Sequence, residues 1–309
     1  PALYNFYQDQ ANVAHDPAPY AERRYEASPL NRVLEQGSEG TVWQIGSGNT
    51  SAFEYKLNHL QDVVFNWDVD ATTDALTLAG YYAPNELQKN VTKDAHRHAV
   101  IEFVDKLDRV VLKRVQAVTT PNSVYITGQW ADTYYVYDDF GNLRYVIPPE
   151  AVKEYRMNLA IPFPPPSQGF LNQWVFQYKY DGRDRMTEKR VPGGDWTYLV
   201  YDERDRLVLT QDGNQRINGQ WSFTKYDELN RPIITGIYSS TASRTQVQEA
   251  INTGNYALFE VRDNAASYGY SNQSFPNTGI VDHYSITYYD TYDFRDNLSE
   301  FGSGFSYEA

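Results

Sequence analysis

Cysteine is missing from all 309 residues, which excludes both a disulfide framework and a thiolate metal site. A large secreted protein that needs no staples is compatible with that absence, as is the cytosol. No run of 18 apolar residues occurs, so no segment reads as a membrane span. Lys and Arg number 27 against 40 Asp and Glu, a formal net charge of -13. Neutralising phosphates needs clustered cations; none appear, and nucleic acid drops out as a partner. Pro1 is not followed by the charged and then apolar regions that open a signal peptide. The expectation is a fragment of a longer protein whose targeting signal lies elsewhere.

Methionine is scarce, with two residues, whereas Tyr 27, Phe 14 and Trp 6 make up 15% of the chain. Tyrosine suits a half-buried strand, where its ring packs on cross-strand neighbours and its hydroxyl reaches water or a polar partner. The composition therefore leans towards β structure. Domains usually run to roughly 100 to 200 residues, so the chain has room for one large or two modest cores.

One short pattern repeats. It consists of an acidic or hydroxyl residue, two free positions, Gly, Asn or Asp, then Arg or Asn, then an apolar residue or Pro. It occurs from Asp138 through Gly141 to Leu143, from Asp181 through Asp184 and Arg185 to Met186, and from Asp202 through Asp205 and Arg206 to Leu207. It recurs from Asp227 through Asn230 and Arg231 to Pro232, and from Asp293 through Asp296 to Leu298. A tyrosine precedes each of these five: Tyr137, Tyr180, Tyr201, Tyr226 and Tyr292. Looser copies run from Asp105 through Asp108 and Arg109 to Val110 and from Ser28 through Asn31 and Arg32 to Val33.

The residue types have a physical reason. A four-residue loop built on a type I turn favours Asp or Ser first, where the side chain accepts from backbone N–H groups ahead of it. It then needs a residue that tolerates positive φ, and Gly, Asn and Asp do so most readily. The pattern predicts a β-hairpin corner, with its aspartates as turn formers and not catalysts. Trp174, Phe176, Tyr178 and Tyr180 alternate with other residues before one corner, and apolar arms such as Val110 to Leu112 and Leu207 to Leu209 follow others. Period two with aromatic and branched residues is the strand signal. From Tyr137 onward the tyrosines are 43, 21, 25 and 66 residues apart, close to multiples of one strand-turn-strand unit that must pair with its neighbours.

The repeated Tyr-Asp-x-x-Gly/Asn/Asp-Arg corner resembles the Rhs/YD repeat of bacterial Rhs proteins, toxin-complex shell subunits and animal teneurins. The stretches Tyr25 to Glu35 and Ile101 to Leu107 resemble the N-terminal lead-in of large bacterial Rhs-repeat proteins. The resemblance implies an all-β fold, a curved antiparallel strip of YD-repeat hairpins forming part of a hollow spiral shell. It implies a structural and not an enzymatic segment, without cofactor or metal. Its partners would be the remainder of its own shell and an enclosed C-terminal toxin or effector, with a secretion apparatus or a surface glycan as further candidates, in a secreted or cell-surface setting. The five tyrosines would pack the wall, and Arg185, Arg206 and Arg231 would pair with acidic or carbonyl groups of neighbouring hairpins. The family's cleavage boundary, Asp-Pro-x-Gly-Leu, has no counterpart, since Asp16-Pro17 is followed by Ala18.

On this reading the whole of 1–309 is a partial Rhs/YD-repeat region. A lead-in covers 1–100, hairpins fill about 101–147, 171–238 and 283–300, and insertions occupy about 148–170 and 239–282. The first insertion holds Pro148, Pro149 and Pro162 to Pro166 and predicts a short helical turn and an extended connector on the surface. The second predicts a capped helix over 243–252 with Ser243 or Thr245 as N-cap and Gly254 beyond its end, decorating the outside or rim of the sheet. Elsewhere, His96 and His98 share a face if they lie on a strand, but no third ligand stands at a fixed spacing, and Arg97 suggests a polar hairpin tip. Gly46 to Thr50 lacks the lysine of a phosphate loop. Exposed Tyr and Trp can also stack on sugars, so an adhesin or carbohydrate-binding segment is the competing function. Aromatics lining a solvent-open groove would favour it.

Overall fold

A computed structural model describes residues 16–118, 126, 128–157, 164–263 and 265–289. The chain divides into two compact units, Pro1–Phe176 and Gln177–Ala309. In the first, eight strands pair antiparallel in chain order: β1 (Glu22–Tyr25), β2 (Val33–Gly37), β3 (Ser51–Leu57), β6 (Gln88–Lys93), β7 (Ala99–Val104), β8 (Val110–Gln116), β9 (Trp130–Tyr137) and β10 (Leu143–Ile147). A separate hairpin, β4 (Phe65–Val69) and β5 (Leu76–Tyr81), leaves the strip between β3 and β6. In the second unit seven strands follow the same rule: β11 (Phe176–Tyr180), β12 (Met186–Arg190), β13 (Thr197–Tyr201), β14 (Leu207–Gln211), β15 (Gln220–Tyr226), β16 (Pro232–Ser239) and β17 (Ile280–Ile286). The protein is mainly antiparallel β and neither strip closes on itself, the all-β class expected from the repeat.

Alternation sets the buried face. Along β15, Trp221, Phe223 and Lys225 are buried while the residues between them are half-exposed. Along β9 the buried positions are Asp132, Tyr134 and Val136. A strip apolar on one face must bury that face against a second layer, and here the interruptions of the repeat supply it. In the first unit the β4–β5 hairpin, α1 (Pro149–Met157) and α2 (Gln168–Trp174) bring Phe65, Trp67, Leu76, Val152, Tyr155 and Leu171 against Ile101, Phe103, Leu112, Tyr134 and Ile147. The rings of Trp67 and Tyr155 lie 4.9 Å apart and those of Phe65 and Tyr134 5.8 Å apart, at separations that add to burial.

In the second unit α4 (Arg244–Thr253) and the loop after it lay Val247, Ile251 and Tyr270 on Val200, Leu209, Trp221, Phe223 and Ile234. Ser243 is the N-cap: its side chain accepts from the Gln246 N–H and the Gln246 side chain accepts from the Ser243 N–H, the reciprocal arrangement of a capping box. The helices expected at the surface are therefore covers, because the bare face of the strip requires them. Fully burying a side chain of this size contributes roughly 1.5–3 kcal/mol.

The corners at Glu26, Asp105, Asp138, Asp181, Asp202 and Asp227 are each followed by a β-bulge. The register shifts so that Leu34, Val111, Arg144, Thr187, Val208 and Ile233 have no opposite residue. A bulge increases local twist and bends the strand. It also explains why the arms after the corners do not alternate: Val111 and Leu112, Val208 and Leu209, and Ile233 and Ile234 are buried in pairs.

Successive connections alternate between the two ends of the strands. One edge of the second unit carries the corners at Asp181, Asp202 and Asp227; the other carries 191–196, the helical turn α3 (Gly213–Ile217) and the excursion 240–279. In the first unit the corners at Glu26, Asp105 and Asp138 share an edge with the β4–β5 excursion.

Candidate functional site

The corners are the sites the sequence singles out, and those at Asp105, Asp138, Asp181, Asp202 and Asp227 share one geometry. At Asp181 the backbone N–H donates to the Arg185 carbonyl at 3.0 Å, and the Asp184 N–H donates back to the Asp181 carbonyl at 3.0 Å. The loop is thus three residues long, a type I turn followed by a left-handed residue, one shorter than the sequence suggests. The left-handed position is Asp184 at φ 57, and its equivalents are Asp108 at 59, Asp205 at 60, Asn230 at 62 and Gly141 at 86.

The leading aspartate organises the turn. Asp202 Oδ1 accepts from the N–H groups of Arg204 and Arg206, both at 2.9 Å, and its Oδ2 accepts from Arg206 Nε at 2.8 Å. Asp181 repeats this with Arg183 and Arg185, and Asp105 with Leu107 and Arg109. Asp227 holds Arg231 by its N–H at 2.8 Å and its Nε at 2.6 Å. At Asp138 the fifth residue is Asn142, whose N–H donates at 2.8 Å and whose Nδ2 lies 3.4 Å from Oδ2. Burial pushes the carboxyl groups of Asp105 and Asp181 up, but the hydrogen bonds from backbone and guanidinium outweigh it and hold both below the ordinary aspartate range.

The free side of each guanidinium reaches the next hairpin. Arg185 Nη1 donates to the Asp202 carbonyl at 3.3 Å and to Asp205 Oδ1 at 2.9 Å, and its guanidinium lies 5.0 Å from the centre of the Tyr201 ring. Tyr201 answers by donating its hydroxyl to the Met186 carbonyl at 2.7 Å. Arg206 repeats this with Asn230 Oδ1 at 2.9 Å and the Tyr226 ring at 4.6 Å, while Tyr226 donates to the Leu207 carbonyl at 2.8 Å. Arg109 does so with the Asp138 carbonyl at 3.3 Å and the Tyr137 ring at 5.1 Å, and Tyr137 donates to the Val110 carbonyl at 3.3 Å. The tyrosine that begins one repeat therefore belongs chemically to the arginine that ends the previous one. Cation–π contacts of this kind contribute about 0.5–1 kcal/mol at exposed sites.

Some positions differ from the sequence expectation. For Arg231 the ring is Tyr289, at 4.2 Å, and Tyr289 donates to the Pro232 carbonyl; Tyr292, Asp293 and Asp296 lie outside the described residues. At the first corner Glu26, not Ser28, binds the arginine, receiving Arg32 Nε and Nη2 at 2.9 Å, and Tyr55 is the ring over Arg32 at 4.3 Å. The Arg32 and Ser28 hydrogen bonds lower the Glu26 pKa to about 2. Tyr180 closes β11 opposite Met186 and is half-buried. His96 and His98 sit on a further corner: Asp94 Oδ1 accepts from both their N–H groups and Arg97 has φ 71. Asp94 was its readable signal. Among the described residues no group of three or more His, Cys, Asp or Glu could hold a metal ion.

Two buried ionic clusters join strip to cover, and neither stands out in the sequence. In the first unit Arg114, 1% exposed, meets both carboxylate oxygens of Asp132, 2% exposed, at 2.8 and 3.1 Å, and Arg156 of α1 meets Asp132 at 3.1 Å. In the second, Lys225 Nζ is 2.7 Å from Glu260 Oε1, at 1% and 0% exposure. The available signal was a charge at an inward strand position. A partly open recess of about 270 Å3 in the first unit is lined by Trp67, Tyr82, Tyr135, Tyr137, Asp68 and Asp105, among others. Burial pushes the Tyr82 hydroxyl pKa up to about 12.

A family model described as a domain of unknown function (DUF6443) matches residues 1–57. No curated protein matches the chain. The crystal structure of TcdB2-TccC3-Cdc42 aligns at 14% identity and a TM-score of 0.38, covering 75% of this chain and 11% of that one. The structure of TcdB2-TccC3 without its hypervariable C-terminal region aligns at 14% identity and 0.38, covering 94% and 15%. The chain thus spans a small part of those chains, and a likeness of this degree assigns no residue a role. No helix among the described residues is long and apolar enough to cross a membrane.

Proposed function

We propose that this chain, an Rhs-like YD-repeat protein by its corners and its strands paired in chain order, is a wall segment of a shell. In the longer protein that shell would enclose and deliver a C-terminal effector, outside the cell or at its surface. The observation that supports this is the interlock. Arg109, Arg185 and Arg206 each bind their own corner and the next, which sets neighbouring hairpins in fixed register, as a wall built by accretion requires. In this reading Tyr137, Tyr180, Tyr201, Tyr226 and Tyr292 are wall residues, and the segment does no chemistry on a substrate. The strip includes the hairpin beginning at Glu22, within the proposed 1–100 lead-in. The test is to express the chain with its natural downstream sequence and to image the particle. A closed shell protecting an unrelated C-terminal cassette from protease supports the wall; a stop codon directly after Ala309 sinks it.

One observation favours the alternative of a carbohydrate-binding segment. The recess in the first unit combines aromatic rings with carboxylates, among them the half-exposed Tyr135 and Tyr137 beside Asp68 and Asp105. Polar groups beside aromatic faces are what a sugar site offers. A glycan array on the purified chain, repeated with Tyr135→Ala, tests it: binding lost in the variant supports the site, and a blank array removes it.

A further inference from the structure

The second unit brings a buried lysine and a buried glutamate into contact with the amide of an exposed asparagine. Lys225 Nζ, on β15, lies 2.7 Å from Glu260 Oε1 and 2.6 Å from Asn272 Oδ1. Glu260 is fixed by the loop around it: Oε1 also accepts from the Ser274 N–H and hydroxyl, and Oε2 from the Ser271 hydroxyl and the Gln273 N–H. The Asn272 amide is oriented by its Nδ2, which donates to the Asn277 carbonyl at 2.9 Å. Since a carbonyl carbon lies about 1.2 Å beyond its oxygen, the amine is close to the distance at which nucleophile and carbonyl react.

We infer that Lys225 and Asn272 form an intramolecular isopeptide bond with Glu260 as the proton-transfer group. Glu260 Oε1 takes a proton from the Lys225 ammonium across their hydrogen bond, well within reach for such a transfer. The Nζ lone pair then forms a bond to Asn272 Cγ. The bond from Cγ to Nδ2 breaks, and the departing nitrogen collects the proton lost by Nζ. The products are a secondary amide and one ammonia, which takes the proton held by Glu260 and returns it to carboxylate. Nothing is oxidised or reduced. Asn272 is exposed, so ammonia has a path to water.

Burial favours the required neutral amine, because desolvation penalises the charged form and lowers the Lys225 pKa despite the Glu260 bond. At Glu260 burial pushes the pKa up, but the hydrogen bonds from Lys225, Ser271, Ser274 and Gln273 outweigh it. The reaction draws on the neutral form of the amine and is a single-turnover step after folding. The product would fasten the cover loop covalently to the strip.

Intact-mass measurement of the purified full chain tests this. The folded protein is expected to weigh one ammonia less than its sequence, and digestion should release a branched peptide joining Lys225 to Asn272, uncleaved by trypsin at Lys225. Lys225→Arg, Glu260→Gln and Asn272→Ala should each restore the sequence mass. Asn272→Ala alters an exposed side chain, so it keeps the test valid if the buried variants misfold. Asn272→Asp should lose water and give the same branch. A folded wild type at its full sequence mass after prolonged incubation overturns the inference, as does ammonia loss without the branched peptide.

Discussion

The corner edge of the strip and the cover over its face are built by opposite rules. At the edge one small device repeats: Asp202, Asp181 and Asp105 make the same bonds to the same backbone positions. The covers share no motif. One uses a hairpin and two helices around Tyr155 and Trp67, the other a helix and a long loop around Ile251 and Tyr270. Their buried ion pairs differ as well, Arg with Asp in one and Lys with Glu in the other. Repetition fixes register between hairpins, a local problem with one solution. Covering an apolar face has many solutions, so the covers are free to differ.

If cover and strip are held together chiefly by the buried ions, Asp132→Ala should have the largest effect, about 3–5 kcal/mol, because it leaves Arg114 charged and without its carboxylate in the interior. Urea unfolding measures it; a loss no greater than that of a corner variant would break the comparison. Asp202→Ala should cost about 2–3 kcal/mol, since hydrogen bonds to charged groups contribute about 1.5–3 kcal/mol and two backbone N–H groups lose their acceptor. Asp205→Val or Asn230→Val should cost about 1–2 kcal/mol through the positive φ that a β-branched residue resists, and wild-type-like melting would remove the corner assignment. Tyr226→Phe should cost about 0.5–1.5 kcal/mol, since the ring stays over Arg206 and only the hydroxyl bond to the Leu207 carbonyl is lost.

The edge also has a pH signature. Glu26 titrates at about 2 in the folded chain against 4.5 ordinarily. A depressed carboxyl stabilises the fold above its ordinary pKa, and this is lost as pH falls through the folded one. Asp105 and Asp181 act in the same direction below 3.8. Melting temperature should fall between pH 4.5 and 2, and Glu26→Gln should flatten part of that slope; an unchanged slope would detach Glu26 from the first corner.

Much of the edge was legible because its information is local. The left-handed residue, the leading aspartate and the tyrosine before it lie within six residues, so Asp205 and Asn230 could be placed without a structure. The turn at Asp94 was read as a polar hairpin tip and not as a further corner, because Arg97 and His98 stand where the pattern has Gly, Asn or Asp followed by Arg or Asn. The partner of each tyrosine was harder to read. Arg206 and Tyr226 form a unit across a whole hairpin, and at Arg231 the ring is Tyr289, because the excursion between β16 and β17 changes which tyrosine arrives beside the corner.

The sequence by itself determined the hairpin corners and the antiparallel class, since turn chemistry and period-two patterning act between near neighbours. Tertiary structure alone decided that the interruptions are covers, that a bulge follows the corners from Glu26 to Asp227 other than the one at Asp94, and that Lys225, Glu260 and Asn272 meet. Those outcomes depend on which distant segments reach the bare apolar face, and burial there is a property of the assembled sheet.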